Sequence, residues 1–365
     1  MTTLFKPQEI IIEKSVLNCD LTRRITSRID AEKMIIDDAE AFIKNSGQPI
    51  ETIQAKSILL ARQRGPFMRF CPGTPRHICC LYRNLDVVEG CDLNCSYCIL
   101  QCYIHSPYIT IYCNTDDMFN ELDDAFTKRP DEFFRVGSGE LSDSLTFDYY
   151  TELGVDLVKF FAPYKNAIIE LKSKNVHVDK ILSLSHGHRS VVSWSLNSEF
   201  IHRTEERETP DIPSRIEAAK KVQKAGYWLG FHFDPLIYYE NWETDYKKVI
   251  DSLFAAIDPQ NIAWISLGAL RYPPELDRAI RRNHPDSKIV LGELLPGIDK
   301  KYRYFRQIRI DMFRALYRHI RQYSGDVFVY LCMESDEVWN KAFGWSPGNS
   351  AILKKLLDQR VMLSE

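Results

Sequence analysis

From about Leu81 onward, short apolar runs alternate with helical segments, and this alternation constrains the fold more than any other feature of the chain. NLDVVEG, FFRVGSGE, NAIIELKSK, VVSWSLN, YWLGFHFDPL and AWISLGAL read as strands. Between them lie helices such as SRIEAAKKVQKAG, where Ile216, Ala219 and Val222 share one face and Gly226 stands just past the last turn. Strands alternating with helices indicate parallel βαβ units, in a doubly wound sheet or a barrel. In such folds chemistry collects on loops at the C-terminal ends of strands. A cysteine-bearing loop, the GSGE segment, Lys174, Ser195 with Asn197, and Asp234 all fall at or near such ends, so they are expected to face one mouth.

The 365 residues suffice for one large α/β domain with an appendage, or for two modest domains. The segment DAEKMIIDDAEAFIKNSG reads as an amphipathic helix stopped at Gly47, and RGPFMRFCPGTPRHICC as loop or turn. The organisation expected is an N-terminal helical extension over 1–80, an α/β unit over 81–295 and a C-terminal cap over 296–365. No apolar run reaches the roughly 18 residues of a membrane span, and the N-terminus lacks a signal-peptide layout. A cytoplasmic protein is the expectation. Net charge is −3, so no overall basic excess announces a nucleic-acid partner, although a local basic face is compatible with that value.

Ten cysteines in such a chain point to metal or redox chemistry rather than disulfides. EGCDLNCSYCILQ contains C-x3-C-x2-C, formed by Cys91, Cys95 and Cys98. Three closely spaced thiolates can hold three irons of a 4Fe–4S cubane and leave the fourth open to a substrate or cofactor. Zinc is the competing reading, with Cys102 as a fourth ligand.

A C-x3-C-x2-C motif directly after the first strand of an α/β chain resembles the signature of the radical S-adenosylmethionine (SAM) superfamily. The resemblance implies a partial (β/α)6-type TIM barrel. It also implies a 4Fe–4S cluster whose open iron binds SAM, and reductive cleavage of SAM to a 5′-deoxyadenosyl radical. More narrowly, CSYCILQ with PYITIYCN, then ELSDS, SKNVHVD, SWSLN, RIEAAKKVQKAGYWLGF and NWETDY resemble, in order from about residue 85 to 250, the spore photoproduct lyase family. Its members repair a UV-induced thymine dimer in DNA.

That resemblance assigns Cys91, Cys95 and Cys98 as cluster ligands and places Tyr97 beside cluster and cofactor. Gly137, Gly139 and Glu140 resemble the segment that holds the amino group of SAM, although G-S-G-E also reads as a tight turn. Ser142, Asp143, Lys174 and Ser195 match further cofactor-binding positions, and Tyr97 and Glu140 are the candidate catalytic positions. Two departures stand out. Glu140 occupies the place where the family keeps a cysteine that returns a hydrogen atom, and Ile99 replaces one of two tyrosines. Cys71, Cys79, Cys80, Cys102 and Cys332 are alternative donors by residue type.

In KKYRYFRQIR, cations alternate with aromatic residues, a pattern suited to gripping nucleic acid. Lys301, Arg303, Tyr304 and Arg306 are the candidate DNA-binding residues, against the alternative of a solvated amphipathic helix. His186, His188 and Arg189 could bind a phosphate or a metal, or be ordinary polar residues. CMESDEVWNKAFGWSP could cap the site or belong to the core. The activity expected is cleavage of the carbon–carbon crosslink of a thymine dimer, by a monomer fed electrons from a flavodoxin or ferredoxin. The alternatives are a different nucleic-acid lesion or small molecule as substrate, and a non-catalytic zinc or iron–sulfur protein.

Overall fold

A computed structural model describes residues 5–46 and 57–362. Its largest sheet has eight strands and curls into a partial barrel. Six parallel strands run in chain order across it: Arg83–Leu85, Phe134–Gly137, Ala167–Ser173, Ser190–Ser195, Trp228–Leu236 and Ile262–Ala269. A short seventh, Val329–Leu331, pairs parallel with the last of these, and Met68–Phe70 closes the opposite edge antiparallel to the first. The predicted strands lie where the apolar runs stand. They run apolar because a parallel sheet is covered on both faces: Val191, Val192, Trp194, Leu229, Phe231, Phe233, Ile265 and Leu267 are fully buried.

The N-terminal region builds more than helices. Glu9–Glu13 pairs parallel with Glu32–Ile36 on one side and Ser57–Ala61 on the other. This second sheet continues into Ile109–Tyr112, which follows the cysteine loop, and Val88–Glu89, which precedes it. The helix expected over DAEKMIIDDAEAFIKNSG is therefore divided. Met34, Ile35 and Ile36 form strand, in register with Ile11, Ile12 and Glu13. The helix Ala39–Asn45 starts only after Asp38, whose carboxylate accepts from the Ala41 N–H. An open parallel edge offers Ile35 and Ile36 ladder hydrogen bonds, and β-branched residues suit it better than a helix. Gly47 lies outside the described residues.

The 71–82 loop joins the two ends of the barrel sheet. Ile78 bridges antiparallel to Glu334, just past the seventh strand, with Ile78 N to Glu334 O at 2.9 Å. Cys79 N donates to Ser350 Oγ at 2.9 Å, and Glu334 is held in turn by Arg309 at 2.8 Å. The segment 296–365 thus contributes a barrel strand and its closure.

Candidate active site

The cysteine loop is fixed on several sides before any ligand is considered. Ser142 Oγ donates to Gly90 O at 2.7 Å, and Gly90 N donates to Leu141 O at 2.9 Å. Gly90 has φ +104°, and a Cβ there would lie 3.3 Å from the Ile109 backbone, so glycine is required for this turn. Thr146 Oγ1 bonds Asp92, Asn94 Nδ2 reaches Glu208 at 2.8 Å, and Ser96 bonds Glu205 through both its N–H and its hydroxyl.

The loop opens into a cavity of about 380 Å³, a volume that takes a cofactor-sized molecule. Cys91, Cys95 and Cys98 line one wall. All are free thiols, and burial pushes each pKa up, that of Cys95 to about 12. Such thiols ionise when a metal takes the charge. Among the described residues no three Cys, His, Asp or Glu groups converge closely enough to hold one metal ion. A lone zinc needs such convergence at about 2.3 Å per sulfur, whereas a cubane spreads three thiolates over three irons. The donor set fits the cluster better than zinc.

Most of the other sequence-predicted residues share this cavity. Gly139, Glu140, Ser142, Asp143, Lys174, Ser195 and Tyr97 all line it, as does Asp234. Asp143 ties the end of the second barrel strand to that of the third, accepting from Ser173 Oγ at 2.7 Å and Lys174 N at 2.6 Å. Gly137 lies deeper, packed against Tyr82, and a Cβ there would meet the Tyr82 hydroxyl at 1.5 Å. At Gly139 a Cβ would lie 2.8 Å from Lys172 O, so this glycine lets two strand ends approach. Glu140 stands exposed at the rim, its carboxylate 3.8 Å from Lys172 Nζ. The Lys174 ammonium lies 5.6 Å from the Tyr97 ring centroid. Burial opposes its charge, but the neighbouring Cys95 and Glu206 more than offset this and raise its pKa.

The buried support of Tyr97 has no counterpart in the sequence reading. The Tyr97 hydroxyl donates to Glu206, which is ion-paired with Arg215 at 2.6 Å. Arg215 is fully buried and also donates to Ser195 O at 2.8 Å and Pro210 O at 2.9 Å. One guanidinium therefore positions both Tyr97 and the strand end bearing Ser195. The floor of the cavity was equally hidden. Glu170 accepts from Tyr82 and Ser193 at 2.7 Å, His232 at 2.8 Å and Trp264 at 3.2 Å. Burial alone would raise its pKa, but His232 and Ser193 draw it down to about 2. Glu206 and Arg215 are buried although they stand in the charge-rich stretch HRTEERETPDIPSR, whose residue pattern carries no mark of burial.

The KKYRYFRQIR residues divide. Lys301 lines the cavity. Arg303 is 4% exposed and paired with Asp299 at 2.6 Å, and Tyr304 is buried, its hydroxyl accepting from Tyr238 N at 3.1 Å. Arg306 is exposed, pairs with Glu337 at 2.5 Å, and starts the helix Arg306–Tyr323. Arg303, Tyr304 and Arg306 border a second, outward-facing depression with Arg76, His77 and Lys341. His186 stacks on Tyr227 at 3.9 Å and bonds Ala225 O, as a packed core histidine does. In the C-terminal segment, Cys332 and Met333 line the cavity, whereas Trp339 is core.

The family model described as "Spore photoproduct lyase" matches residues 5–319. The chain belongs to the spore photoproduct lyase family. It is by that membership a radical SAM lyase. The spore photoproduct lyase of Bacillus subtilis is 32% identical over 304 residues, covering 80% of this chain and 86% of the relative. That of a Geobacillus species is 25% identical over 310 residues, covering 83% and 88%. The fold is shared with a solved, doubly substituted spore photoproduct lyase bearing AdoMet and dinucleoside spore photoproduct, at TM-score 0.79 and 21% identity, covering 90% of this chain and 100% of that one.

Proposed function

We propose that this lyase cleaves the carbon–carbon crosslink of a UV-induced thymine dimer in DNA, with a 4Fe–4S cluster on Cys91, Cys95 and Cys98 and SAM as its cofactors. One observation carries the reading: a single cavity joins the three thiols to the strand-end residues Gly139, Ser142, Lys174 and Ser195 and, further out, to Lys301. When bound, cluster and SAM supply a 5′-deoxyadenosyl radical, the reagent that takes hydrogen from the lesion and so opens its linking bond.

The chain's own residues bind and orient. Lys174 offers a half-buried cation for a carboxylate, and Ser195 and the cavity-lining backbone at Gly139 offer hydrogen-bonding groups. The exposed Glu140 carboxylate can accept from an ammonium group. Tyr97, fixed through Glu206 and Arg215, forms a rigid aromatic wall between two ligand cysteines. Lys301 at the cavity and Arg306 on the outer depression suit phosphates on either side of an extruded lesion. Arg303 and Tyr304, between them, are engaged inside the protein with Asp299 and Tyr238. A low-potential one-electron donor of flavodoxin or ferredoxin type belongs to this chemistry. The reading takes the enzyme as a monomer that acts in the cytoplasm.

The test is anaerobic incubation of iron–sulfur-reconstituted protein with SAM, dithionite and dinucleoside spore photoproduct, followed by chromatography. Loss of lesion with release of the dithymidine is expected. Formation of 5′-deoxyadenosine with the lesion untouched would instead support a second reading, a different lesion or small molecule, which Glu140 beside Lys172 favours.

A further inference from the structure

One surface segment covers the cysteine loop from outside. The helix Pro274–Asn283 packs against the short helix Leu100–Tyr103, which follows Cys98. Gln101 joins the two. Its Nε2 donates to Ser96 O at 2.8 Å and to Cys98 O at 3.3 Å, and its Oε1 accepts from Asn283 Nδ2 at 3.0 Å. The turn after the longer helix makes a second link: Ser287 Oγ donates at 2.7 Å to Glu205, the residue that holds Ser96. Residues 274–288 thus reach the loop at Ser96 and Cys98 through one intervening side chain in each case.

The outward side of this segment is basic. Leu276, Ala279 and Ile280 face the core, which turns Arg278, Arg281 and Arg282 to solvent. Arg281 is paired with Asp277 at 2.8 Å, and Asp286 with Arg207 at 3.9 Å. Arg278, Arg282 and Lys288 stand outside these two pairs, with Glu275 as the one acid of the segment beside them. Among the described residues Arg278 and Lys288 form no ion pair. Burial, then Glu275 and Cys98, raise the Cys102 pKa to about 11, and Arg278 and Arg282 oppose them. Both guanidiniums therefore stand within electrostatic reach of a residue one turn past Cys98. Leu291, exposed, bonds through its N–H to Lys288 O at 3.1 Å and so sets an apolar side chain beside these charges.

We infer that the exposed face of residues 274–288, with Arg278, Arg282 and Lys288 beside Leu291, is the docking surface for a small acidic protein that carries one electron to the cluster. The inference rests on the radical SAM reading above and on its flavodoxin- or ferredoxin-type donor. In that reading the cavity mouth is taken by SAM and lesion, so the electron arrives from another side. The carrier gives up one electron, the cluster on Cys91, Cys95 and Cys98 takes it, and no bond or proton changes hands. Electron transfer weakens steeply with distance, which favours a face separated from the ligand loop by single side chains. Complementary charge steers such a partner and fixes its orientation. Electron-transfer encounters are weak and bury under about 1,200 Å², a scale that a few cations around one apolar residue suit. Gln101 supplies a bonded route from Asn283 to Cys98 O.

The experiment compares reconstituted wild-type, Arg278→Glu, Lys288→Glu and Lys355→Glu proteins. Lys355 is the control. It is exposed on the helix Ser350–Met362, where Lys354 and Arg360 bond Phe133 O and Ile262 O at the opposite, N-terminal end of the barrel strands. With reduced flavodoxin or ferredoxin as donor at low salt, Arg278→Glu and Lys288→Glu are each expected to need about tenfold more carrier for half-maximal formation of 5′-deoxyadenosine. The difference should shrink at about 0.5 M salt. With dithionite, which needs no docking, all four proteins should react alike and hold equal iron. A readout independent of turnover is carbodiimide cross-linking, which should join Lys288 of the wild type, and not Lys355, to carboxylates of the carrier. Equal carrier dependence in all four proteins, cross-links at Lys355 in place of Lys288, or a wild type that cleaves SAM with dithionite but with neither carrier would overturn the docking face. So would weaker binding of lesion-bearing DNA by Arg278→Glu with its carrier dependence unchanged, the mark of a nucleic-acid contact. If wild type cleaves no SAM even with dithionite, the lyase reading fails, while the cross-links still report on the docking face.

Discussion

Replacing Arg215 by Met tests whether the hidden ion pair sets the site. Arg215 is fully buried, and its guanidinium serves Glu206 at 2.6 Å, Ser195 O at 2.8 Å, Pro210 O at 2.9 Å and the Thr209 hydroxyl. Methionine fills much of the volume but leaves the Glu206 carboxylate, 1% exposed, without its partner. Breaking a buried pair from one side costs about 3–5 kcal/mol. The expected loss in urea denaturation at pH 7, followed by fluorescence and circular dichroism, lies in that range. Changing Glu206 to Gln as well removes the stranded charge and should restore roughly 2 kcal/mol. The pH dependence fixes the sign. Burial raises the Glu206 pKa, but Arg215 and Lys174 overcome this and hold it below the ordinary carboxylate value. The stability this gives is fully present above the unfolded carboxyl value and is lost as pH falls through the folded one. Without Arg215 the carboxyl protonates more readily, so the gap between wild type and variant should narrow on acidification from pH 7 toward about 4.5. A loss under about 1 kcal/mol, or a gap independent of pH, would refute the reasoning.

Other outcomes are equally specific. Cys95→Ala should bind less iron and sulfide on anaerobic reconstitution and lose the broad visible absorbance of the cluster, and unchanged iron content would contradict the ligand assignment. Gly137→Ala should cost about 1–3 kcal/mol, because the added Cβ meets a Tyr82 hydroxyl that is itself bonded to Glu170. Glu170 is held at about 2 against an ordinary 4.5, so its contribution is present above that ordinary value and lost as pH falls toward about 2. Glu170→Gln should flatten this part of the acid-denaturation curve. Lys301→Ala should weaken lesion-bearing DNA and lower the salt slope of binding by about 1. Arg306→Ala breaks only an exposed pair and should change folding stability by less than about 1 kcal/mol.

What could be read from the sequence was what repeats or carries a local signature. The barrel strands are runs of apolar residues because both faces of a parallel sheet are covered, and Cys91, Cys95 and Cys98 announce themselves by spacing. Gly139, Ser142, Lys174 and Ser195 could be placed at one mouth because strand ends in such a fold share a side. Long-range pairing was not legible. Met34 to Ile36 form a strand only because Glu9–Glu13 offers an edge, and no local periodicity records that edge. Glu206 and Arg215 stand in a charge-rich stretch that looks solvated, yet both are buried. In KKYRYFRQIR the alternation of cations and aromatics was visible, but not that Arg303 spends its charge on Asp299 and Arg309 on Glu334.

The same long-range closure makes the cavity two-sided. A six-strand open barrel presents strand-end residues and a cysteine loop toward one mouth, which suffices to bind a cofactor but leaves the far side to solvent. Here the 71–82 loop is bonded to residues just beyond the seventh strand, through Ile78 to Glu334 and Cys79 to Ser350. Glu334 is in turn fixed by Arg309. Weakening that closure should therefore affect the two walls unequally. Glu334→Gln keeps the backbone bridge but leaves buried Arg309 without a counter-charge. It should loosen the cavity wall lined by Cys71 and Cys332 while the cluster loop, held independently by Ser142, Thr146 and Glu205, retains its metal. Faster alkylation of Cys332 with unchanged iron content is the expected result, and parallel loss of iron would show that the two walls are one cooperative unit.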